Sequence, residues 1–383
     1  MDPARYTPSR FGRAQRTGGR HGYVAYFPAP IPRQLTLDER TVRLLSDAEA
    51  ALGRLAGIGT LVPNPNLLTR PYLLREAVFS TRIEGTETTV AEVLEADAAS
   101  LAPNHDVEEV VGYAAAMEWG LKRMAKLPLS SRLLRELHER LMAGVRGRGL
   151  GPGRFRSTQN WIGAPGSTIE TASFVPPPPT ELPALISDWE RFAHEDLEMP
   201  LLVQDALLHS QFETIHPFLD GNGRLGRLLL VYFLIVRGRL PAPLLYLSAH
   251  LEHHREDYYA ALQAIHESGD AIPWIGLFLR SVASQAGDAV ARAQQIMDLR
   301  ERYLAAASTI GGPNALAAVE VICTNPVVTP RSVEEKLAVS RPTALRLLQR
   351  LEARGVVQQQ DPGPRGQRRY VAREMLRVAG GEN

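Results

Sequence analysis

Residues 216–227 read His-Pro-Phe-Leu-Asp-Gly-Asn-Gly-Arg-Leu-Gly-Arg. Several kinds of chemistry share this one window. His216 is its only side chain that titrates near neutrality, so it is the natural base for drawing a proton from a hydroxyl. Asp220 offers the hard oxygen that suits Mg²⁺ bridging a nucleotide's phosphates. Gly221 and Gly223 allow backbone angles closed to other residues, and successive N–H groups in such a turn can form a nest for an anion. Arg224 and Arg227 lie three apart, on one face of the first turn of the following helix. Positive charge there opposes the helix dipole unless an anion lies between the two. A Gly-x-Gly turn with flanking charges is by itself an ordinary capped loop. A base, a metal-type carboxylate, a nest and paired guanidinium groups in one loop point to a bound nucleotide phosphate beside an activated hydroxyl.

The elements that must hold this loop read as helices. Leu44, Leu45, Ala48, Leu52 and Leu55 recur at three- and four-residue steps, with Thr36 and Asp38 as caps. A second helix is predicted over about 71–84, stopped by Gly85, and further helices near 89–99, 106–126, 130–145, 180–194, 200–215, 224–237, 252–267 and 272–298. Residues 154–178 break the pattern. They lack a helical period and carry Gly163, Pro165 and Gly166, then a run from Pro176 to Pro179, which predicts a β-hairpin flap and a rigid turn. Residues 1–22 read as a flexible arm, and Pro28, Pro30 and Pro32 favour an extended strap over helix or strand. After Gly311-Gly312-Pro313 come helical patterns over 314–323, 331–337 and 341–354, with hairpin candidates at 356–357 and 370–371, the layout of a winged helix-turn-helix. The expected organisation is an arm (1–22), a helical region (23–105) containing the helix at 71–85, a catalytic domain (106–300) and a tail domain (310–378).

Composition narrows the class. The chain has 383 residues, 44% hydrophobic and 22% charged, enough to bury sizeable cores without covalent staples. Its net charge of +1 names no partner. A lone cysteine, Cys323, excludes an internal disulfide and a cysteine-based metal cluster. The longest apolar run, Leu228 to Val236, falls far short of the roughly 20 residues of a membrane span. With no secretory signal visible, the expectation is a cytoplasmic protein without a membrane partner. Charge is segregated, however. From Arg331 onward there are 11 Lys/Arg against 6 Asp/Glu, as in a nucleic-acid-binding module. There Ser340-Arg341-Pro342-Thr343 would open a recognition helix bearing Arg346 and Arg350, with Arg365, Arg368 and Arg369 on the wing. Winged helices also serve as protein-docking or dimer modules, so DNA and a protein partner both remain open, as does a homodimer.

The 216–227 window resembles the signature of the Fic family, His-Pro-Phe-x-[Asp/Glu]-Gly-Asn-Gly-Arg-x-x-Arg, at every fixed position. The resemblance extends more loosely over residues 24–300. It implies an all-α Fic fold with a small β-hairpin flap, to which the winged tail is added, and a protein AMP transferase using ATP and Mg²⁺. His216 would take the proton of a target Ser, Thr or Tyr hydroxyl, which attacks the α-phosphate and expels pyrophosphate. Asp220 would hold Mg²⁺, and Gly221, Asn222 and Gly223 would cradle the phosphates. Arg224 would bind the β- and γ-phosphates and Arg227 the γ-phosphate, with Phe218 a core anchor. Ser80-Thr81-Arg82-Ile83-Glu84-Gly85 resembles the family's inhibitory helix, [Ser/Thr]-x-x-x-Glu-[Gly/Asn]. This implies that Glu84 pairs with Arg227 in the place of the γ-phosphate, with Ser80 on the same face.

Residues 154–178 resemble the family's flap, which aligns a target segment by strand addition, although Trp161 would equally serve packing. Leu245 to Tyr259 resembles the segment lining the adenine pocket. The family often has asparagine just before Arg255; here His254 stands there and is assigned to nucleotide contact, while Tyr258 and Tyr259 are read as core or as pocket walls. His209, Glu213 and His216 have metal-like spacing, but His216 serves the stronger reading and His209 is taken as structural. Three other outcomes stay open: removal of AMP by the same site, a DNA-binding regulator using the fold as a nucleotide sensor, and γ-phosphate transfer.

Overall fold

The computed structural model describes all residues except 20–21, 62–65, 100–103, 144–147, 361–367 and 381–383. It is mostly helical. In chain order the helices are α1 (Glu39–Leu61), α2 (Asn66–Ile83), α3 (Val90–Ala99), α4 (His105–Met124), α5 (Ser131–Leu141), α6 (Leu182–His194), α7 (Leu201–Ile215), α8 (Asn222–Val236), α9 (Ser248–His253), α10 (Arg255–Ser268), α11 (Ile272–Ser308), α12 (Pro313–Thr324), α13 (Pro330–Leu337), α14 (Arg341–Glu352) and α15 (Arg373–Gly380). The strands are β1 (Gly12–Arg16), β2 (Val24–Pro28), β3 (Val327–Val328), β4 (Gln358–Gln360) and β5 (Arg369–Val371). The chain divides into two compact units. The first comprises 1–53, 112–240 and 247–285, and the second 54–111, 241–246 and 286–383.

The first unit is built round α7 and α8. α8 is apolar on every side from Leu228 to Leu234, and such a helix is stable only when wrapped by others. Trp189 of α6 donates its indole N–H to the carbonyl of Leu208 at 2.9 Å, and Trp274 of α11 to that of Ala206 at 2.7 Å, so two indoles tie their helices to α7. α4 lies close enough to α8 for the Tyr232 hydroxyl to reach the Met117 carbonyl at 2.7 Å. A β-carbon at Gly120 would collide with that hydroxyl.

Where the sequence suggested a loose arm and strap, residues 12–16 and 24–28 form an antiparallel pair running from Gly12 opposite Pro28 to Arg16 opposite Val24. This hairpin braces the flap segment. The N–H of Tyr26 donates to Val175 at 2.9 Å, the Tyr6 hydroxyl to the Ser173 carbonyl at 3.0 Å, and the Tyr23 hydroxyl to Gln159 at 2.8 Å. Tyr26 is fully buried against Tyr6, Phe174 and His266. The flap itself is less regular than a hairpin. A single bridge, Ile162 with Phe174, exchanges two hydrogen bonds of 2.8 and 3.1 Å. Beyond it the prolines from 176 onward donate no N–H to a ladder, and the Gln159 side chain bonds the Pro176 carbonyl at 2.9 Å instead.

In the second unit α2 begins at Asn66, earlier than predicted, and ends where Gly85 predicted. Gly85 takes φ 98°, its N–H bonds to Arg82 at 3.0 Å, and the N–H of Thr86 reaches back to Thr81 at 3.3 Å, the two bonds of a Schellman cap. Tyr72 and Arg75 bind α2 to α11 through the Ala289 carbonyl at 2.7 Å and Asp288 at 3.0 Å. The C-terminal region runs α12-β3-α13-α14-β4-β5-α15, with its antiparallel sheet ordered β3-β5-β4. Cys323 is buried in α12, and burial pushes its thiol up to about 12, so it is inert. Arg365, expected on a wing, lies outside the described residues. No helix among them is long and apolar enough to cross a membrane.

Three buried histidines of the first unit are held neutral by burial: His138 down to about 4, His209 and His266 to about 3. Each folded value lies below the unfolded one, so the unfolded chain binds more protons as pH falls below about 6.5, and stability is lost in that direction. Each contributes a slope of up to about 1.4 kcal/mol per pH unit. Thermal melts should give a clearly lower midpoint at pH 5 than at pH 7. A midpoint unchanged over that interval would contradict the buried, neutral assignment.

Candidate active site

α7 ends at Ile215 because the next residue leaves the helix. His216 adopts the left-handed conformation (φ 47°, ψ 60°), its N–H capping onto Phe212 at 3.0 Å, and Pro217 prevents continuation. A non-glycine residue there costs about 1–2 kcal/mol, so the neighbours must hold it. The principal holder is Arg156, almost fully buried. Its guanidinium donates to the carbonyls of His216 (2.9 Å), Pro177 (2.6 Å) and Ile215 (3.3 Å), and its own N–H to that of Pro217 (2.9 Å). Burial brings its pKa down to about 10, so it remains a cation at neutral pH. The imidazole Nδ1 of His216 lies 3.3 Å from the Glu213 carbonyl. A carbonyl only accepts, so this contact puts the proton on Nδ1 and the lone pair on Nε2.

The far end of the loop is clamped by His138 of α5. Its Nδ1 accepts the N–H of Gly153 at 2.9 Å, which leaves Nε2 protonated to donate to the Asp220 carbonyl at 2.9 Å. Its ring also stacks on Phe218, with centroids 3.7 Å apart and planes 5° from parallel. Phe218 is completely buried, as a core anchor should be. Asn222 closes the turn with its side chain: Oδ1 accepts the N–H of Phe218 and Nδ2 donates to its carbonyl, both at 2.9 Å. Its amide thus shapes the loop by bridging both peptide groups of Phe218. Gly221 caps α8 with φ 76°, and a β-carbon there would come within 2.7 Å of the Met142 sulfur.

The charged groups gather at this helix start. Arg224 and Arg227 are both buried within the first turns of α8. Arg224 lies 3.5 Å from Asp220 Oδ2, while Oδ1 accepts the Gly221 N–H at 2.6 Å. Asp220 itself is about half exposed, with a side-chain exposure of 45%. Beside Glu213 opens a cavity of about 560 Å³, walled by Ile162 and Phe174 of the flap and by Arg255, Tyr259, Leu262 and His266 of α10. These four α10 residues follow steps of four, three and four, one face of the helix.

His254 is not part of that wall. It sits between α9 and α10, its Nδ1 3.6 Å from Asp257 and its ring near those of His250 and His253. The adjoining Arg255, the first residue of α10, lines the cavity. Tyr258 is core, hydrogen-bonded to His209 at 2.8 Å, whereas Tyr259 lines the cavity. Trp161 of the flap is exposed, its indole N–H bonded to the Ser167 carbonyl at 3.0 Å. Ser80 is buried on α2 and Glu84 is the exposed C-cap of that helix, both in the second unit.

The same region matches known sequences. Residues 42–122 match the Fic/DOC family N-terminal model, and residues 128–234 match the Fic/DOC family model, which takes in α5 to α8 and the whole loop. The chain belongs to the Fic/DOC family. This Fic chain is 28% identical over 247 residues to the protein adenylyltransferase Fic of Drosophila grimshawi, a match covering 63% of the chain and 47% of that relative. It is 35% identical over 96 residues to a probable protein adenylyltransferase of Aquifex aeolicus, covering 25% and 28% respectively. The chain spans about half the length, or less, of the curated relatives it matches. Among solved structures it resembles a Fic family protein from Desulfovibrio desulfuricans G20, with TM-score 0.58, 25% identity, and coverage of 88% of this chain and 97% of that one.

Sequence reasoning on this Fic chain missed Arg156 and His138. Their roles depend on carbonyl oxygens brought near by folding, for which no local pattern exists. The α10 face could have been found from its helical spacing. Arg156→Met should destabilise the fold by about 2–3 kcal/mol in chemical denaturation, since it leaves buried carbonyls without a charged donor. His216→Gly should be more stable than His216→Ala by about 1 kcal/mol, because only glycine relieves the left-handed strain. Equal stabilities would mean that His216 is not strained.

Proposed function

We propose that this Fic chain transfers AMP from ATP onto a protein hydroxyl, with His216 as the base. The carrying observation is the clamped loop, in which a strained histidine, a half-exposed carboxylate and two buried arginines surround one helix start, while Glu213, three residues before the histidine, lines a cavity of about 560 Å³. The acceptor O–H gives its proton to Nε2 of His216, and the oxygen bonds to the α-phosphorus. The bond from that phosphorus to the bridging oxygen breaks, and the electron pair leaves with pyrophosphate. Arg224, Arg227 and the first N–H groups of α8 hold the leaving phosphates and spread their charge. Positioning and charge neutralisation are what such transfers need most from a protein. Asp220 fits a magnesium ion, since its carboxylate is about half exposed and, among the described residues, Oδ2 makes a single long contact, to Arg224; bound there, the ion would neutralise phosphate charge. The α10 face and flap would enclose the base, and the flap edge would align the acceptor segment.

We further propose that Glu84 restrains the reaction. It is the C-cap of α2, where the helix dipole disfavours a carboxylate and favours a cationic partner. We read the C-terminal region as a winged helix-turn-helix; the order α12-β3-α13-α14-β4-β5 and the three-stranded sheet support that reading.

Incubation with ATP labelled in the α-phosphate should put label on protein. Glu84→Gly should raise that labelling at least about tenfold, the size expected when about 1.4 kcal/mol of restraint is removed. His216→Ala should abolish it. Label from the γ-phosphate instead, or no gain from Glu84→Gly, would overturn transfer or restraint respectively.

A further inference from the structure

We propose that the outward face of α14 docks the phosphate backbone of duplex DNA, with Arg346 and Arg350 as the gripping side chains. α13 and α14 are joined by residues 338–340. The turn is sharp because Ala338 takes a left-handed conformation (φ 52°, ψ 41°) and its N–H caps onto Glu334. α13 starts on a capping box between Thr329 and Ser332, so both ends of the turn motif are fixed. α14 buries Ala344, Leu347, Leu348 and Leu351 and leaves Pro342, Arg346, Gln349 and Arg350 exposed.

Several arginines of the second unit are matched by acids: Arg300 with Glu320 at 2.5 Å, Arg302 with Glu374 at 2.8 Å, Arg331 with Glu335 at 2.8 Å and Arg369 with Glu95 at 2.6 Å. Among the described residues, Arg346 and Arg350 make no ion pair. No acid occurs between Glu335 and Glu352, and Glu352 is turned to the sheet, accepting the Gln359 N–H at 2.6 Å. Arg346 and Arg350 stand one turn apart on the same face, with Gln349 beside them.

An unneutralised basic face calls for an anionic surface, and two observations favour DNA over an acidic protein. Protein interfaces bury apolar anchors at their centre. No large hydrophobic side chain is exposed among the described residues from 331 to 380. The second helix of a helix-turn-helix also fits the major groove, where a glutamine amide can read base edges while arginines grip phosphates.

The test is fluorescence anisotropy of the full chain with a labelled duplex of mixed sequence, from about 50 to 200 mM salt. The wild-type chain should bind, with affinity falling as salt rises. Arg346→Ala/Arg350→Ala should weaken binding at least about tenfold and lower the log–log salt slope by about two, with melting temperature and AMP transfer unchanged. Arg373→Ala, exposed on α15, should leave binding near the wild-type value. A wild-type chain that ignores duplex at the lowest salt, a double variant that binds as well as wild type, or polyglutamate competing as well as unlabelled duplex would each overturn the proposal. Because AMP transfer is read separately, failure here leaves the reading of the first unit standing.

Discussion

A buried guanidinium holding backbone carbonyls is the interaction on which the site depends. Arg156 reaches the carbonyls of residues 215 and 216 and that of Pro177, and its backbone reaches Pro217. It thus joins the end of α7 to the exit of the flap. A cation in a core is expensive unless acceptors receive its hydrogens; here three carbonyls accept from Nε and Nη2, while Nη1 has no partner among the described residues. The return is geometric. His216 stays in a left-handed conformation that it would otherwise leave, and its imidazole is presented from a fixed backbone. Strain at a functional position, held by over-determined surroundings, is a known way to pre-organise a site.

The rest of the loop repeats the device with other chemistry. His138, kept neutral by burial, bridges Gly153 and Asp220 while stacking on Phe218. Asn222 folds its amide back on the Phe218 peptide groups. The polar side chains that shape the turn are thereby separated from those left for a ligand. The N-terminal hairpin does the same for the flap, which has one bridge of its own and borrows its order from Tyr6, Tyr23 and Tyr26.

What the sequence disclosed follows from this division. The 216–227 window was legible because glycines, arginines, a proline and a histidine at fixed offsets have local meaning, and the helices around it carry strong 3.6-residue periods. Gly85 was legible as a stop because a left-handed C-cap has a local composition. The pairing of residues 12–16 with 24–28 was not, since the Arg- and Gly-rich stretch hid a strand stabilised by its tyrosine neighbours. Arg156 and His138 resembled surface polar residues until folding supplied their carbonyl partners.

The central claim is that the loop exists to pass an adenylyl group to a hydroxyl. Intact-mass spectrometry of the Glu84→Gly chain, incubated with ATP and magnesium alongside the same chain also carrying His216→Ala, tests it most directly. The first protein should gain the mass of one adenylyl group and the second none. An added phosphate in place of AMP, or an adenylyl adduct that persists without His216, would contradict it.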